Sequence, residues 1–187
     1  MRHEQSIATV LTFWLDETEP KQWFFKDLDF DETVKSKFES LVKRALASQL
    51  DSWSETADGN LALIILLDQM TRNIYRNTPM SFAGDDMALA FCLKGIARND
   101  HEHLADGGDN NKVRFLLMPM MHAESLDIQD KSLPLFQQYC DGNTYDYAVL
   151  HRDIIARFGH FPHRNAILGR PSSDEEIAFL NEPNSSF

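Results

Sequence analysis

The sequence has few cysteines and no long apolar run, and each absence excludes a class of protein. Cys92 and Cys140 are its two cysteines, too few for a disulfide framework or a Cys-rich zinc site, and buried free thiols are expected. Leu61–Leu67, its longest apolar run without proline, is far too short to span a bilayer. No small-residue cleavage site follows the first apolar stretch. We therefore expect a cytoplasmic protein without a membrane partner.

Basic residues are also scarce, and they are unevenly distributed. The chain has 18 Lys and Arg against 29 Asp and Glu, for a net charge of −11. Nucleic acids and anionic membranes require a broad positive surface, so neither is expected as a partner. The segment 151–170 nevertheless contains four arginines and a single acid, Asp153. This basic segment needs acids from elsewhere or a bound anion to offset the repulsion between its arginines.

No segment of useful length alternates apolar and polar residues, so no β-strand is predicted. Apolar residues instead recur at three- and four-residue steps, as in amphipathic helices. The predicted helices span residues 7–15, 30–50, 61–75, 84–97, 112–124, 127–140, 144–158 and 173–180. We therefore predict an all-α fold of seven to eight antiparallel helices, forming one domain over residues 1–187.

Two pairs of opposite charge stand four residues apart on predicted helices. Asp68 and Arg72 lie in the second half of helix 61–75, and Asp153 and Arg157 lie in helix 144–158. This spacing allows each pair to form an ion pair on one helix face. One interpretation is that both pairs are structural; the alternative is that Arg72, Arg152 and Arg157 bind a ligand.

His151 lies in the middle of the apolar stripe of helix 144–158, together with Tyr147, Ile154 and Phe158. An imidazole in this position is either a neutral core group with one hydrogen-bond partner or a proton carrier that faces an internal cavity. The neutral core group is the interpretation that this position favours.

The segment 159–165 is dense in hydrogen-bonding side chains. Gly159 is predicted to end helix 144–158, and Asn165 is predicted to cap a short helical turn at 166–168. The segment also carries His160, His163 and Arg164. Such a loop is ordered either by a bound ligand or by an internal hydrogen-bond network.

Known cofactor and metal motifs are missing. The sequence has no P-loop, dinucleotide fingerprint, Gly-x-Ser-x-Gly elbow, zincin or EF-hand pattern. His160 and His163 straddle a proline, and His101-Glu102-His103 is predicted to lie in a polar loop. His122 and Glu124 would serve as metal ligands only if the fold brought them near these groups. We therefore predict neither a metal nor a cofactor.

Several motifs together resemble a family known as domain of unknown function 924. They are Phe13-Trp14, Trp23-Phe24 with Phe30-Asp31, LALIILLDQMTRNIYRNTP (61–79), MPMMHAESL (118–126), HRDIIARFGHFPHRNAILGR (151–170) and the segment 183–187. The resemblance implies a bacterial, cytoplasmic protein whose all-α fold is similar to tetratricopeptide-type helical hairpins. It implies no activity. The chain departs from the family at Met70-Thr71, where members often carry Phe-Pro, so its helix can continue unbroken through Arg72.

Three functions remain open from the sequence, and nothing in it indicates an oligomeric state. The first is a binding module for a small anion or an acidic, carboxylate-bearing peptide; its candidate residues are Arg72, His151, Arg152, Arg157, His163, Arg164 and Asn165. The second is an enzyme in which His151 or His163 is the general acid–base and arginines hold a carboxylate or phosphate. The third is a structural or regulatory protein. Convergence of Arg72, His151 and Arg164 on an open cleft would favour a site, whereas mutual pairing in a closed core would favour the structural function.

Overall fold

The computed structural model describes residues 2–105 and 110–186, with side chains described from residue 6 onward. This part of the chain is helical and contains no β-strand, which confirms the predicted all-α fold. The α-helices are α1 (Arg2–Leu11), α2 (Pro20–Phe24), α3 (Leu28–Leu46), α4 (Ala57–Ile64), α5 (Thr71–Ile74), α6 (Asp85–Ala97), α7 (Asp100–Ala105), α8 (Asn111–Met121), α9 (Leu126–Tyr139), α10 (Gly142–Phe158), α11 (Asn165–Leu168) and α12 (Asp174–Phe179). None of them is long and apolar enough to cross a bilayer.

Side-chain caps determine where several helices begin. The Asp27 carboxylate accepts hydrogen bonds from the backbone N–H groups of Asp29 and Phe30 at 3.0 and 3.1 Å, which starts α3 before the predicted boundary. Asp141 accepts from the N–H of Thr144 at 2.8 Å and caps α10. These carboxylates accept hydrogen bonds from N–H groups that have no partner within the helix. Their negative charge also interacts favourably with the positive, N-terminal end of the helix dipole.

The α4 helix is the centre of the main hydrophobic core. The apolar run Leu61–Leu67, which spans the end of α4 and the start of the next turn, is completely buried, as expected for a segment with no polar face in its first two turns. Around it pack α1, α6 and α8, while α9 lies between α8 and α10. A smaller cluster of Ile154, Ile155, Phe161 and Phe179 joins α10 to the C-terminal turns.

The predicted helix 61–75 forms, but it is not regular. Residues Ile65–Met70 form a π-helical turn between α4 and α5, and a second π-helical turn, Thr12–Glu17, follows α1. A π-helical turn contains an extra residue compared with an α-helical turn and occurs often at functional sites. Here it carries Asp68 and Gln69 into the interior.

Gly84 brings the start of α6 against this π-helical turn. A Cβ atom at position 84 would lie only 2.3 Å from the carbonyl oxygen of Leu67, so no larger residue fits without a shift of the backbone. Because the two backbones touch, the next residue, Asp85, reaches the side of the helix that carries Arg72.

Two local predictions were wrong. His101-Glu102-His103 lies in α7 and not in a polar loop. The preceding Asp100 is buried and accepts from the Nε of Arg98 at 2.8 Å, which anchors the turn. Asn165 does not cap a helical turn but is the first residue of α11, and its side-chain amide donates to Ser172 Oγ at 3.1 Å.

Candidate functional site at the Arg72–Arg164 cluster

Five elements bring charged side chains together beside the core. They are the π-helical turn Ile65–Met70, α5, the first turn of α6, the end of α8 and the 3₁₀ turn Pro162–Arg164. The side chains that meet there are Asp68, Arg72, Asp85, His122 and Arg164, which we call the Arg72–Arg164 cluster. Two of the predicted candidates, Arg72 and Arg164, are therefore brought together by the fold.

Asp68 is the buried anchor of the cluster. Its carboxylate is inaccessible to solvent and lies 2.8 and 3.0 Å from His122 Nδ1, while Gln69 Nε2 donates to it at 2.6 Å. The predicted ion pair with Arg72 is present, with Nη1 3.6 Å from Oδ1. Burial alone would raise the pKa of Asp68, but His122 in its protonated form, Arg72 and the hydrogen bonds from His122 and Gln69 outweigh it and lower the pKa below its usual range. Asp68 is thus a carboxylate at neutral pH.

Asp85 holds the two arginines of the cluster side by side. Arg72 lies 3.0 and 3.1 Å from its two carboxylate oxygens, and Arg164 Nη1 donates to Oδ2 at 3.1 Å. A single carboxylate is therefore shared between two guanidinium groups. The distance between the two guanidinium groups therefore accommodates an oxyanion such as a carboxylate.

Arg164 is buried and fixed between two aromatic rings. Its guanidinium carbon lies 4.6 Å from the ring centres of both Phe82 and Phe161. Nη2 donates to the carbonyl oxygen of His122 at 3.2 Å, but the buried Nε has no hydrogen-bond acceptor within the described chain. Burial lowers the pKa of Arg164 from its ordinary value against the opposing effect of Asp85. Its Nε–H is a rigidly held donor without an acceptor.

The other two histidines near the cluster are neutral at physiological pH. His151 is buried, as predicted, with Nδ1 2.7 Å from the carbonyl oxygen of Tyr147, and burial lowers its pKa to about 3. Burial, followed by the charge of Arg164, lowers the pKa of His163 to about 4. These values disfavour either residue as a proton carrier near pH 7.

Asp85 and His122 are the members of the cluster that sequence reasoning missed. From the sequence, His122 is a candidate only as a metal ligand, on condition that the fold brings it near other ligands. Its ring centre lies 6.2 Å from that of His151. His122 lies opposite Asp68 because the segments that carry them pack together. The sequence pattern does not show this tertiary contact.

Arg152 and Arg157 pair with acids on other helices. Arg152 Nε donates to Asp130 at 2.7 Å, and its Nη1 lies 3.3 Å from Asp153. Arg157 stacks over the rings of Phe158 and Phe179 and donates to Glu175 at 2.9 Å. The predicted pairing of Asp153 with Arg157 is therefore corrected: α12 brings Glu175 to Arg157, and Asp153 pairs with the adjacent Arg152.

Every arginine of the basic segment has an acid partner from another part of the chain. The partners are Asp130 for Arg152, Glu175 for Arg157, Asp85 for Arg164 and Glu124 for Arg170. Asn165 joins this network, since it accepts from Arg170 Nε at 2.9 Å and donates to Glu176 at 3.3 Å. The protein's own acids thus compensate the basic segment, and its net charge gives no argument for a ligand.

The cluster is only partly accessible to solvent. The side chains of Arg72 and His122 are 23% and 14% exposed, whereas that of Arg164 is 8% exposed. Two grooves of about 510 and 480 Å³ run along α1 and are lined by residues outside the cluster. Across residues 2–105 and 110–186, no three His, Cys, Asp or Glu side chains are placed to hold a metal ion.

Comparison with known proteins identifies the family. The model of the bacterial proteins of unknown function DUF924 matches residues 10–184. The chain belongs to the DUF924 family. The matched range includes every residue of the Arg72–Arg164 cluster, so the cluster lies inside the DUF924 domain.

One solved structure has the same fold. The protein of unknown function ATU0120 from Agrobacterium tumefaciens is 35% identical to this DUF924 chain, with a TM-score of 0.88 over 95% of this chain and 98% of the other. Comparison with curated proteins gives no match. The family and this relative thus establish the fold and leave the activity open.

Proposed function

We propose that the chain is a binding protein for a small anion that carries a carboxylate or phosphate group, held at the Arg72–Arg164 cluster. The observation that supports this proposal is the buried Nε–H of Arg164, which has no acceptor in the described chain although both phenyl rings fix its guanidinium. A buried donor without a partner costs about 1–3 kcal/mol. An oxyanion that accepts from this group removes that cost.

The position of Asp85 supports the same ligand chemistry. Its carboxylate lies between the guanidinium groups of Arg72 and Arg164, so an oxyanion is already compatible with this spacing. Planar guanidinium groups bind carboxylate and phosphate through paired donors. The low exposure of Arg164 favours a small anion or the C-terminal carboxylate of a peptide over an extended acidic surface.

The competing function is structural. Arg72 and Arg164 already pair with Asp68 and Asp85, and an internally paired cluster can serve solely to join α5, α6 and the Pro162–Arg164 turn. The two functions differ in one observable quantity, the stabilisation of the fold by added anions.

Thermal unfolding in the presence of anions tests the proposal. The panel contains acetate, sulfate, inorganic phosphate, citrate and a short acidic peptide, each against chloride at the same ionic strength. A ligand at about a hundred times its dissociation constant stabilises the folded state by roughly 2.7 kcal/mol. For a domain of this size we expect a rise of about 5–11 °C in the midpoint.

Two variants and one matched control assign the effect to the cluster. Arg164→Gln should abolish the rise, and Arg72→Gln, at a more exposed position, should weaken it even if Arg164→Gln does not fold. Arg157→Gln changes an arginine of the same segment that pairs with Glu175 at the surface, and it should retain the full rise. If no anion shifts the midpoint beyond its chloride control, the cluster is structural and the proposal is wrong.

A further inference from the structure

The Arg72–Arg164 cluster and its nearest ion pair are balanced in charge. The carboxylates are Asp68, Asp85 and Glu124, and the guanidinium groups are Arg72, Arg164 and Arg170. An anion that enters this partly buried group adds one uncompensated negative charge. In surroundings of low dielectric constant such a charge is costly. A proton taken up at the same time would restore the balance.

His122 is built to accept that proton. Its Nδ1 lies 2.8 and 3.0 Å from the two oxygens of Asp68. Because a carboxylate only accepts hydrogen bonds, Nδ1 carries the hydrogen, and in the neutral ring Nε2 carries the lone pair. Protonation at Nε2 leaves the bond to Asp68 intact and places the imidazolium beside a buried carboxylate. The same arrangement orients histidines that transfer protons in enzymes.

The groups around His122 leave no better proton acceptor. The charged neighbours are Asp68 from the π-helical turn, Arg72 from α5, Asp85 from α6, Arg164 from the 3₁₀ turn and Glu124 from the segment after α8. The other two titratable neighbours are histidines, His151 from α10 and His163 from the 3₁₀ turn. Burial keeps His151 and His163 neutral, and Asp68 is kept ionised by its partners. His122 is the histidine of this group with a carboxylate partner and solvent access.

We infer that the cluster binds its anion together with a proton and that His122, oriented by Asp68, carries this proton. The inference rests on the proposed anion binding. The proton comes from water and forms a bond to Nε2, so the site takes up the equivalent of a neutral acid, as a carboxylate or phosphate anion plus one proton. By linkage, a site that takes up a proton together with its anion binds that anion more weakly as pH rises.

Calorimetric titration with acetate and sulfate tests the inference. Neither anion changes its charge between about pH 6 and about pH 9, where imidazole groups titrate. We expect the affinity of the wild-type protein at about pH 9 to be at least about tenfold lower than at about pH 6. Titrations in two buffers of different ionisation enthalpy should show about one proton taken up per anion.

Two variants separate a proton carrier from a structural histidine. His122→Gln retains a donor for Asp68 but has no basic nitrogen, so its anion binding should be weak and independent of pH, with no proton uptake. Asp85→Asn removes one negative charge from the balanced group, so it should bind anions at about pH 9 without a proton. Arg152→Gln, which changes a pair with Asp130 and Asp153, is the control and should behave like the wild type.

Each outcome decides the matter. Wild-type binding of equal strength at both pH values, or binding without proton uptake, overturns the inference and leaves anion binding in place. Loss of binding at about pH 9 in Asp85→Asn as well as in the wild type shows that charge balance is not the cause, and it also overturns the inference. If no anion of the panel binds the wild-type protein at about pH 6, the proposed function fails first and this inference fails with it.

Discussion

Burial and bonding partners give the three histidines around the cluster different chemistry. The ring of His151 packs edge-on against Phe161, with ring centres 5.5 Å apart, and its Nδ1 lies 2.7 Å from the carbonyl oxygen of Tyr147. The ring centre of His122 lies 6.2 Å from that of His151, and its Nδ1 is hydrogen-bonded to the carboxylate of Asp68. One imidazole is therefore held neutral by its apolar surroundings, while the other is held in position by a carboxylate.

At this scale we predict a loss of stability in mild acid. An unfolded chain protonates His151 near its ordinary pKa of 6.5, whereas burial keeps the pKa in the fold at about 3. The unfolded state therefore binds more protons between these values, and the free energy of unfolding falls as pH decreases below about 6.5, by up to about 1.4 kcal/mol per pH unit. His163 acts in the same direction through its pKa of about 4.

The variant His151→Leu should lose about half of this pH dependence. Urea unfolding at several pH values between about 6.5 and about 4.5 measures it, above the range in which carboxylates with a lowered pKa such as Asp68 contribute. His103→Leu changes an exposed histidine and is the control. An unchanged slope in His151→Leu would mean that the folded protein protonates His151 as readily as the unfolded chain does.

At the scale of elements, the junction of the π-helical turn with α6 determines whether the cluster forms. The sequence predicted one helix through Arg72 and placed Asp68 and Arg72 on one face. The π-helical turn at Ile65–Met70 could not be predicted from the sequence pattern. It begins within a run that is apolar on every side, and such residues are buried equally well in an α-helix or a π-helix. The sequence also gave no reason to bring Asp85 near Arg72.

The variant Gly84→Ala should damage both the fold and the cluster. Its methyl group would lie 2.3 Å from the carbonyl oxygen of Leu67, so α6 has to move away from the π-helical turn. We expect a loss of about 1–3 kcal/mol in the free energy of unfolding, together with weaker anion binding because Asp85 moves with α6. Gly142→Ala is the matched control, because an added methyl group there meets nothing within 4 Å. Equal stability of the two variants in denaturant titration would show that the contact at Gly84 is not tight.

At the scale of the whole molecule, the sequence predicted what is local and missed what depends on distant contacts. The helices α3 and α10 follow from their periodicity, and the end of α10 follows from Gly159, whose φ of 76° favours glycine. The acids that neutralise the basic segment are far away in sequence: Asp85 and Arg164 are separated by 79 positions. No local pattern encodes such a pairing, because it requires the helices between these two residues to pack first.

The reactivity of the two cysteines distinguishes global unfolding from local opening, because Cys92 is buried and Cys140 is only half-buried. Cys92 is completely buried in α6, and burial raises the pKa of its thiol, so it should label with a bulky thiol reagent only on global unfolding. We expect its native rate to be at least about a thousandfold below that in denaturant. Cys140 is only half-buried, with a pKa of about 11, and should label sooner. The sequence predicted that both would be slow.

The control is Cys140→Ser, in which labelling of the remaining thiol reports on α6 alone. Rapid modification of Cys92 in this variant under native conditions would show that α6 opens locally, without unfolding of the core. The site would then open as well, because Asp85 is the first residue of the same helix.

The wide separation of Asp85 and Arg164 also has a consequence for synthesis on the ribosome. A nascent chain that extends to His122 already contains Asp68, Arg72 and Asp85, and so has two of the cluster's carboxylates for one of its guanidinium groups. The second guanidinium arrives only with the turn Pro162–Arg164, after α9 and α10 have emerged. Until then, two acids must either remain hydrated or draw protons, and the interior around them stays open to water. The turn Pro162–Arg164 therefore supplies the charge that completes this region, although it is among the last elements to be synthesised.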